Sequence, residues 1–166
     1  MITKITSLND IDFDGLFAGS LPRMDAGTFI WPEGITSEAE KKAYMRARLE
    51  KILAQSNNLS YLHTVDGEQV AAIFGVKNGN MYAAGLSLVR PDSNGSRAFI
   101  YRQDVLDAQK AFFAEHGIEG MSGIVPKDSP LKPGLEARHA TEQRPLVVPI
   151  SDEVYERKFI RIGGSE

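Results

Sequence analysis

Two groups of side chains in this sequence have types and spacings that could do chemistry. The first suits proton transfer. His63, in the alternating run of residues 59–65, has an ordinary pKa fit for a general base near neutral pH, and Glu68, just past Asp66-Gly67, is a second candidate for that role. A single histidine in an alternating strand is more often a packed structural or surface residue, and that reading stands beside the catalytic one. His116 and His139 lie far from it in sequence, and three histidines without regular ligand spacing do not make a metal site. The second group is an anion cradle. Ser93, Asn94, Gly95, Ser96, Arg97 and Ala98 form a polar turn ahead of a helical pattern. A turn that opens a helix presents unpaired backbone N–H groups and the positive end of the helix dipole to an anion. Ser93 and Ser96 add hydroxyl donors and Arg97 adds charge, a set that suits a pyrophosphate. The other reading of this turn is a well-capped helix start that binds nothing.

Several chemistries are excluded. The chain has no cysteine, so disulfides, thiolate metal sites and a cysteine nucleophile are absent. No Gly-x-Ser-x-Gly elbow supports a serine nucleophile. A net charge of −3 and a pI near 5.7 give no general basic field, so nucleic acid is not expected as a partner. With 42% hydrophobic and 25% charged residues over 166 positions, composition is that of one globular domain. We expect that domain over residues 1–162 and a flexible tail at 163–166. The opening residues carry Asp10, Asp12 and Asp14 and no long apolar run, so no signal peptide or membrane span is expected and the cytoplasm is the expected location.

The elements that must position these groups follow from pattern. Residues 2–7 read as a short strand, and Asn9-Asp10 can open a small helix over 11–18. Between Gly19 and Gly34, Pro22, Pro32 and the glycines read as a loop, in which Phe29, Ile30 and Trp31 cap the core or, less often for such aromatics, meet a substrate. Ser37 with Glu40 is a capping box, and Met45, Leu49, Ile52 and Leu53 recur at helical spacing; Glu38, Lys41, Lys42, Arg46, Arg48 and Lys51 read as the solvated face of that helix. Strands over 59–65, 69–77 and 81–89 are separated by Asp66-Gly67 and Asn78-Gly79, favoured hairpin pairs, so the three form an antiparallel meander. A long helix then runs to about His116 with Ala98, Tyr101, Val105, Ala108 and Phe112 on one face and Gly117 as its left-handed stop. A strand at 121–125, a helical turn at 131–138 and strands at 145–150 and 158–162 complete an α/β (α+β) chain. It is a single-domain mixed sheet with helices on both faces.

This order of elements resembles the Gcn5-related N-acetyltransferases (GNAT) over nearly the whole chain. Leu86-Ser87-Leu88-Val89-Arg90-Pro91, the turn through Gly95-Ser96-Arg97-Ala98 and the helix end Ala114-Glu115-His116-Gly117 are similar to that family's central strand, phosphate loop and third helix. The resemblance implies acetyl-CoA as cofactor, its phosphates at Ser93–Ala98 and its pantetheine arm along residues 86–89, with Leu88 and Val89 in contact. It further implies an amine or other small-molecule acceptor, with His63 or Glu68 as base. Two features depart from the family's pattern. The phosphate loop keeps Ala98 but has Ser93 and Ser96 where the family has Gln or Arg and Gly, and residues 127–139 hold no tyrosine to act as acid, Leu135 standing nearest. Two functions therefore stand: an acyl-CoA-dependent N-acyltransferase, or a catalytically degenerate chain of the same fold serving as a structural or interaction protein, for example in a virion. Residues 28–31 and 155–162 are the expected contact surfaces for such an assembly partner.

Overall fold

A computed structural model describes residues 1–90, 102–126, 143–144 and 155–161 of the chain. The expected phosphate turn Ser93–Ala98, the helical turn at 131–138 and the strand at 145–150 lie outside them.

The element order is β1 (Ile2–Ile5), α1 (Phe13–Arg23), α2 (Glu38–Leu53), β2 (Ser60–Val65), β3 (Glu68–Asn78), β4 (Met81–Val89), α3 (Gln103–Glu115), β5 (Gly120–Pro126), β6 (Gln143–Arg144) and β7 (Tyr155–Arg161). The strands form one mixed sheet in the order β1-β2-β3-β4-β5-β7-β6, in which, among the described residues, only the β4–β5 pairing is parallel. The meander forms where the turn chemistry places it. Asp66 and Gly67 both take positive φ, 52° and 80°, as a two-residue hairpin of this twist requires. The second turn is displaced by one residue: Asn78 pairs with Met81, so Gly79, at φ 60°, opens the turn rather than closing it.

Alternation along the strands sends successive side chains to two cores. On one face Leu62, Ala72, Phe74 and Leu88 pack against Phe13, Leu16 and Phe17 of α1 and Met45 and Leu49 of α2. On the other, Tyr61, Ala71, Ile73 and Tyr82 pack against Phe112 and Phe113 of α3, with the Tyr61–Phe112 and Tyr82–Phe113 ring centroids each 5.0 Å apart. Tyr82 also fixes a glycine. Its hydroxyl donates to the Leu59 carbonyl at 3.0 Å, and a Cβ on Gly75 would fall 2.6 Å from that hydroxyl and 2.6 Å from the Ala83 carbonyl oxygen.

α2 begins as expected: Glu40 N–H donates to Ser37 Oγ at 3.1 Å and Ser37 N–H to Glu40 Oε1 at 3.0 Å. Gly117, at φ 67°, follows the end of α3. Three boundaries differ from expectation. α1 is capped by Asp12, whose carboxylate accepts from Gly15 N–H, and a second capping box, Ser7 with Asp10, belongs to a separate short turn at Leu8–Asp10. α1 also runs through Pro22 to Arg23 and on into a wide turn at Met24–Thr28 that Gly27 ends at φ 115°. A proline in the last turn removes one N–H without stopping the turn that follows it. Finally α3 starts at Gln103, because Arg102 is extended at φ −69°, ψ 143°; Ala98 and Tyr101, expected on its apolar face, lie outside the described residues.

Candidate active site

β4 and β5 run parallel and then part. They pair only over Met81–Ala83 and Gly120–Ser122, after which β5 continues to Pro126 beside β7 and β4 continues to Val89 beside β3. Among the described residues, no strand covers the β5-facing edge of β4 from Ala84 onward. Crevices at the carboxyl ends of diverging parallel strands are where open α/β sheets bind ligands, because the uncovered edge carries unpaired N–H and C=O groups.

The groups offered can be assigned from the ladder. Arg90 N–H donates to the Val70 carbonyl at 2.8 Å, which makes Arg90 and Val70 a hydrogen-bonded pair. Antiparallel pairs alternate, so Leu88 with Ala72 and Leu86 with Phe74 also bond to each other, while Ser87 and Val89 turn their N–H and C=O away from β3 into the crevice. Leu88 therefore corrects an expectation. Its side chain is wholly buried against the α1/α2 core and its backbone faces Ala72, so it has nothing to present to a cofactor.

Val89 has its outward groups, but they are already engaged. Ser20, near the end of α1 and 5% exposed, accepts from Val89 N–H at 2.6 Å and donates to the Val89 carbonyl at 3.2 Å. Ser87 is left as the residue whose outward pair no side chain of the described residues holds.

A bulge marks the inner end of the crevice. Phe74 pairs with Leu86 but Gly75 pairs with Ala84, so Gly85 is an extra residue in β4. The extra residue reverses the faces: Tyr82 and Ala84 pack toward α3, whereas Leu86 and Leu88 pack toward α1 and α2. A Cβ on Gly85 would lie 3.0 Å from Ile52 Cδ1 of α2 and 3.3 Å from the Phe74 carbonyl oxygen. The sequence held a signal for this, a glycine inside an otherwise regular apolar strand. It held none for Ser20, whose partner is 69 residues away.

The expected bases are elsewhere. His63 lies on β2 between Ile2 and Ala71, 1% exposed, with its ring 5.4 Å from that of Tyr61 and its Nε2 without a hydrogen-bond partner. Burial, with a smaller contribution from the N-terminal ammonium, lowers its pKa to about 4. It is neutral at pH 7, but its burial, two strands from the β4–β5 opening, argues against its acting as the base. Glu68 is exposed where β3 begins and faces Arg90, Nη1 to Oε2 3.8 Å. His116 ends α3 with its ring 4.6 Å from Phe112, its pKa lowered first by burial and then by Lys4 and Lys77.

The segment between α1 and α2 borders the crevice from the other side, with Met24–Thr28 against β5. Asp25 in that segment accepts from Trp31 Nε1 and from Lys41 Nζ, both at 2.9 Å. Phe29 is buried, and Phe29, Trp31 and Tyr44 form a ring cluster with centroids 4.7 to 6.3 Å apart. The aromatics thus cap the core against α2, and within residues 28–31, expected as an assembly surface, Ile30 is an exposed large apolar side chain. β7, the other expected contact, lies inside the sheet between β5 and β6. No helix among the described residues is long and apolar enough to cross a membrane.

α3 opens at Gln103. Asp104 in its first turn accepts from Val105 N–H at 3.0 Å and is held by Arg102 through Nε and Nη2 at 3.1 and 2.9 Å.

No protein-family model matches the sequence, and no curated protein sequence matches it. Solved structures do match. An acetyltransferase from Thermus thermophilus superimposes with a TM-score of 0.62 at 14% identity, covering 97% of each chain. The PaiA N-acetyltransferase of Thermoplasma acidophilum, in complex with coenzyme A, gives 0.59 at 13% identity over 97% of this chain and 99% of that one. The ribosomal-protein-S18-alanine N-acetyltransferase of Escherichia coli gives 0.54 at 15% identity over 100% and 96%. The chain has the α/β fold of the GNAT N-acetyltransferases, as its order of elements implied.

Proposed function

We propose that this protein is an N-acyltransferase that takes an acyl group from acetyl-CoA or a related thioester and delivers it to an amine in the β4–β5 crevice. The observation that carries the reading is the parting of β4 from β5 beside the Gly85 bulge, which leaves an uncovered strand edge of the kind an extended amide chain pairs with. Bound acetyl-CoA supplies an acyl carbon activated for attack by a neutral amine.

The chain's own residues set the register. A ligand whose anionic end lies at the carboxyl end of β4 would meet the outward pair of Val89 first and that of Ser87 second. Those pairs are about 7 Å apart along the strand. In this arrangement Ser87 N–H would be the donor available to an acyl oxygen, where a fixed donor counts most as that oxygen gains charge. Val89 would take an amide of the arm once Ser20 gives way. Gly85 and Ile52 close the inner end, and the Met24–Thr28 segment bounds the side from which an acceptor enters. Of the two expected bases only Glu68 is exposed, and it stands beside Arg90 at the carboxyl end of β4, so the base is left to solvent or to the acceptor side.

The hold of Ser20 on Val89 favours a second reading, a chain that keeps the fold and has closed the ligand edge to serve as an interaction protein. Calorimetry with acetyl-CoA separates the two. Ser87→Pro deletes the outward N–H while sparing the β3 ladder, which does not use it. Saturable binding that weakens at least about tenfold in Ser87→Pro supports the acyltransferase; no binding at millimolar acetyl-CoA ends it.

A further inference from the structure

The α2 side of the crevice holds a cation that the acyl-transfer reading does not use. Lys41, Lys42 and Arg46 on this helix each have a carboxylate partner, Asp25 at 2.9 Å, Asp14 at 2.7 Å and Glu50 at 3.9 Å. Arg48 and Lys51 have none among the described residues, and of the two only Arg48 is held in place. Its guanidinium carbon lies 5.6 Å from the Phe29 ring centroid and 5.9 Å from that of Tyr44, and its Nη1 donates to the Tyr44 hydroxyl at 3.3 Å. A guanidinium fixed against rings keeps its remaining N–H donors in a rigid plane, the geometry that grips a carboxylate with two parallel bonds.

Its position relates it to the bulge. Arg48 and Ile52 are one turn apart on the same face of α2, so their Cα atoms are about 6 Å apart along the axis. Ile52 Cδ1 is the atom that approaches Gly85 to 3.0 Å of its missing Cβ. The ring platform under Arg48 is tied through Trp31 to Asp25, on the segment that lies against β5. Arg48 therefore stands one helical turn outward from the inner end of the crevice, on the side from which an acceptor would enter.

We propose that Arg48 binds a carboxylate of the acceptor, which makes the acceptor class small amines that carry a carboxylate separated from the amine by several carbons. The assignment of this anion as an acceptor rests on the acyltransferase reading; the carboxylate site itself does not. Trp31 is the single tryptophan of the chain and belongs to the platform, so its emission reports on Arg48 without turnover or acetyl-CoA.

The experiment titrates the full chain with ω-amino acids of increasing length, with alkylamines of matching length, and with the same series on Arg48→Met, Arg48→Lys and Tyr44→Phe. A saturable change in Trp31 emission is expected with ω-amino acids, at least about tenfold tighter than with the matching amines. It is lost in Arg48→Met and weakened in both Arg48→Lys, which cannot make the two-bond contact, and Tyr44→Phe, which frees the guanidinium. Equal responses to amine and amino acid, or binding unchanged in Arg48→Met, overturn the proposal. Acetyl-CoA binding without amino-acid binding leaves the acyltransferase standing and removes Arg48 from it. Amino-acid binding through Arg48 in a chain that ignores acetyl-CoA refutes the acceptor assignment.

Discussion

Ser20→Ala should make the free protein less stable and its thioester complex tighter. The side chain is 5% exposed and holds Val89 by two hydrogen bonds, 2.6 Å to the N–H and 3.2 Å to the carbonyl. Each such bond contributes about 1 kcal/mol net, and a partner left dry loses about 1–3 kcal/mol more. Val89 is half-buried at the rim of an opening, where water can partly replace the hydroxyl, so the loss should be about 2 kcal/mol. For a chain of this size that lowers Tm by about 4–8 °C. Binding moves the other way. In the proposed register the outward pair of Val89 is where an amide of the ligand belongs, so the hydroxyl competes with it. Removing a competitor worth about 1.4 kcal/mol tightens acetyl-CoA binding about tenfold. Thermal melts and calorimetry on the two proteins test both halves. A Tm within about 1 °C of the parent would mean that the serine bonds contribute nothing net. A Ser20→Ala protein that binds acetyl-CoA more weakly would place the hydroxyl among the ligand's contacts and refute the competition.

Three further substitutions test the frame. His63 has a folded-state pKa of about 4 against an ordinary value near 6.5, so the unfolded chain takes up its proton first; stability is full above about pH 6.5 and falls as the pH drops toward 4, by up to about 3 kcal/mol. Urea melts at pH 7 and pH 4.5 should show that fall in the native protein and a smaller one in His63→Leu; equal falls would mean that this imidazole is not the titrating group. Gly75→Ala forces a Cβ to within 2.6 Å of the Ala83 carbonyl oxygen and the buried Tyr82 hydroxyl, and should cost about 3 kcal/mol in a denaturant melt. Ser37→Ala breaks the capping box at the start of α2 and should cost about 1 kcal/mol, read as a small shift in the same melt.

The parts of the fold legible in the sequence are those fixed by neighbours in the chain. Asp66-Gly67 fixes a hairpin because positive φ is a local demand, and Ser37 with Glu40 fixes a helix start because both partners lie within one turn. Pattern alone makes α1 too short because Pro22 looks like a stop, whereas its position in the last turn costs the helix one bond. Pattern does not find the start of α3 at Gln103, because Ala98 and Tyr101 carry its apolar spacing backward and spacing does not show that Arg102 is extended. The expected anion cradle, Ser93–Ala98, lies outside the described residues. The backbone N–H groups of the first turn belong to Gln103, Asp104 and Val105, and Asp104 already puts a carboxylate on one of them.

The crevice depends on register, which no short stretch contains. Resemblance singles out the segment 86–89 as a unit, but the ladder divides it: Leu86 and Leu88 bond to β3 and only Ser87 and Val89 look outward. One residue of slip would exchange the two sets, so the identity of the donor is a property of the β3–β4 pairing. That pairing is itself set by the bulge at Gly85, which returns Leu86 and Leu88 to the α1/α2 core after Tyr82 and Ala84 have packed toward α3. Without the extra residue, a strand that buries Tyr82 on one face would carry Leu86 and Leu88 to the same face, away from Met45 and Leu49. The two strand glycines thus have different causes. Gly75 is small because the Tyr82 ring fills the place of its side chain, while Gly85 is the added residue through which one strand can serve two cores and still turn Ser87 N–H toward the opening.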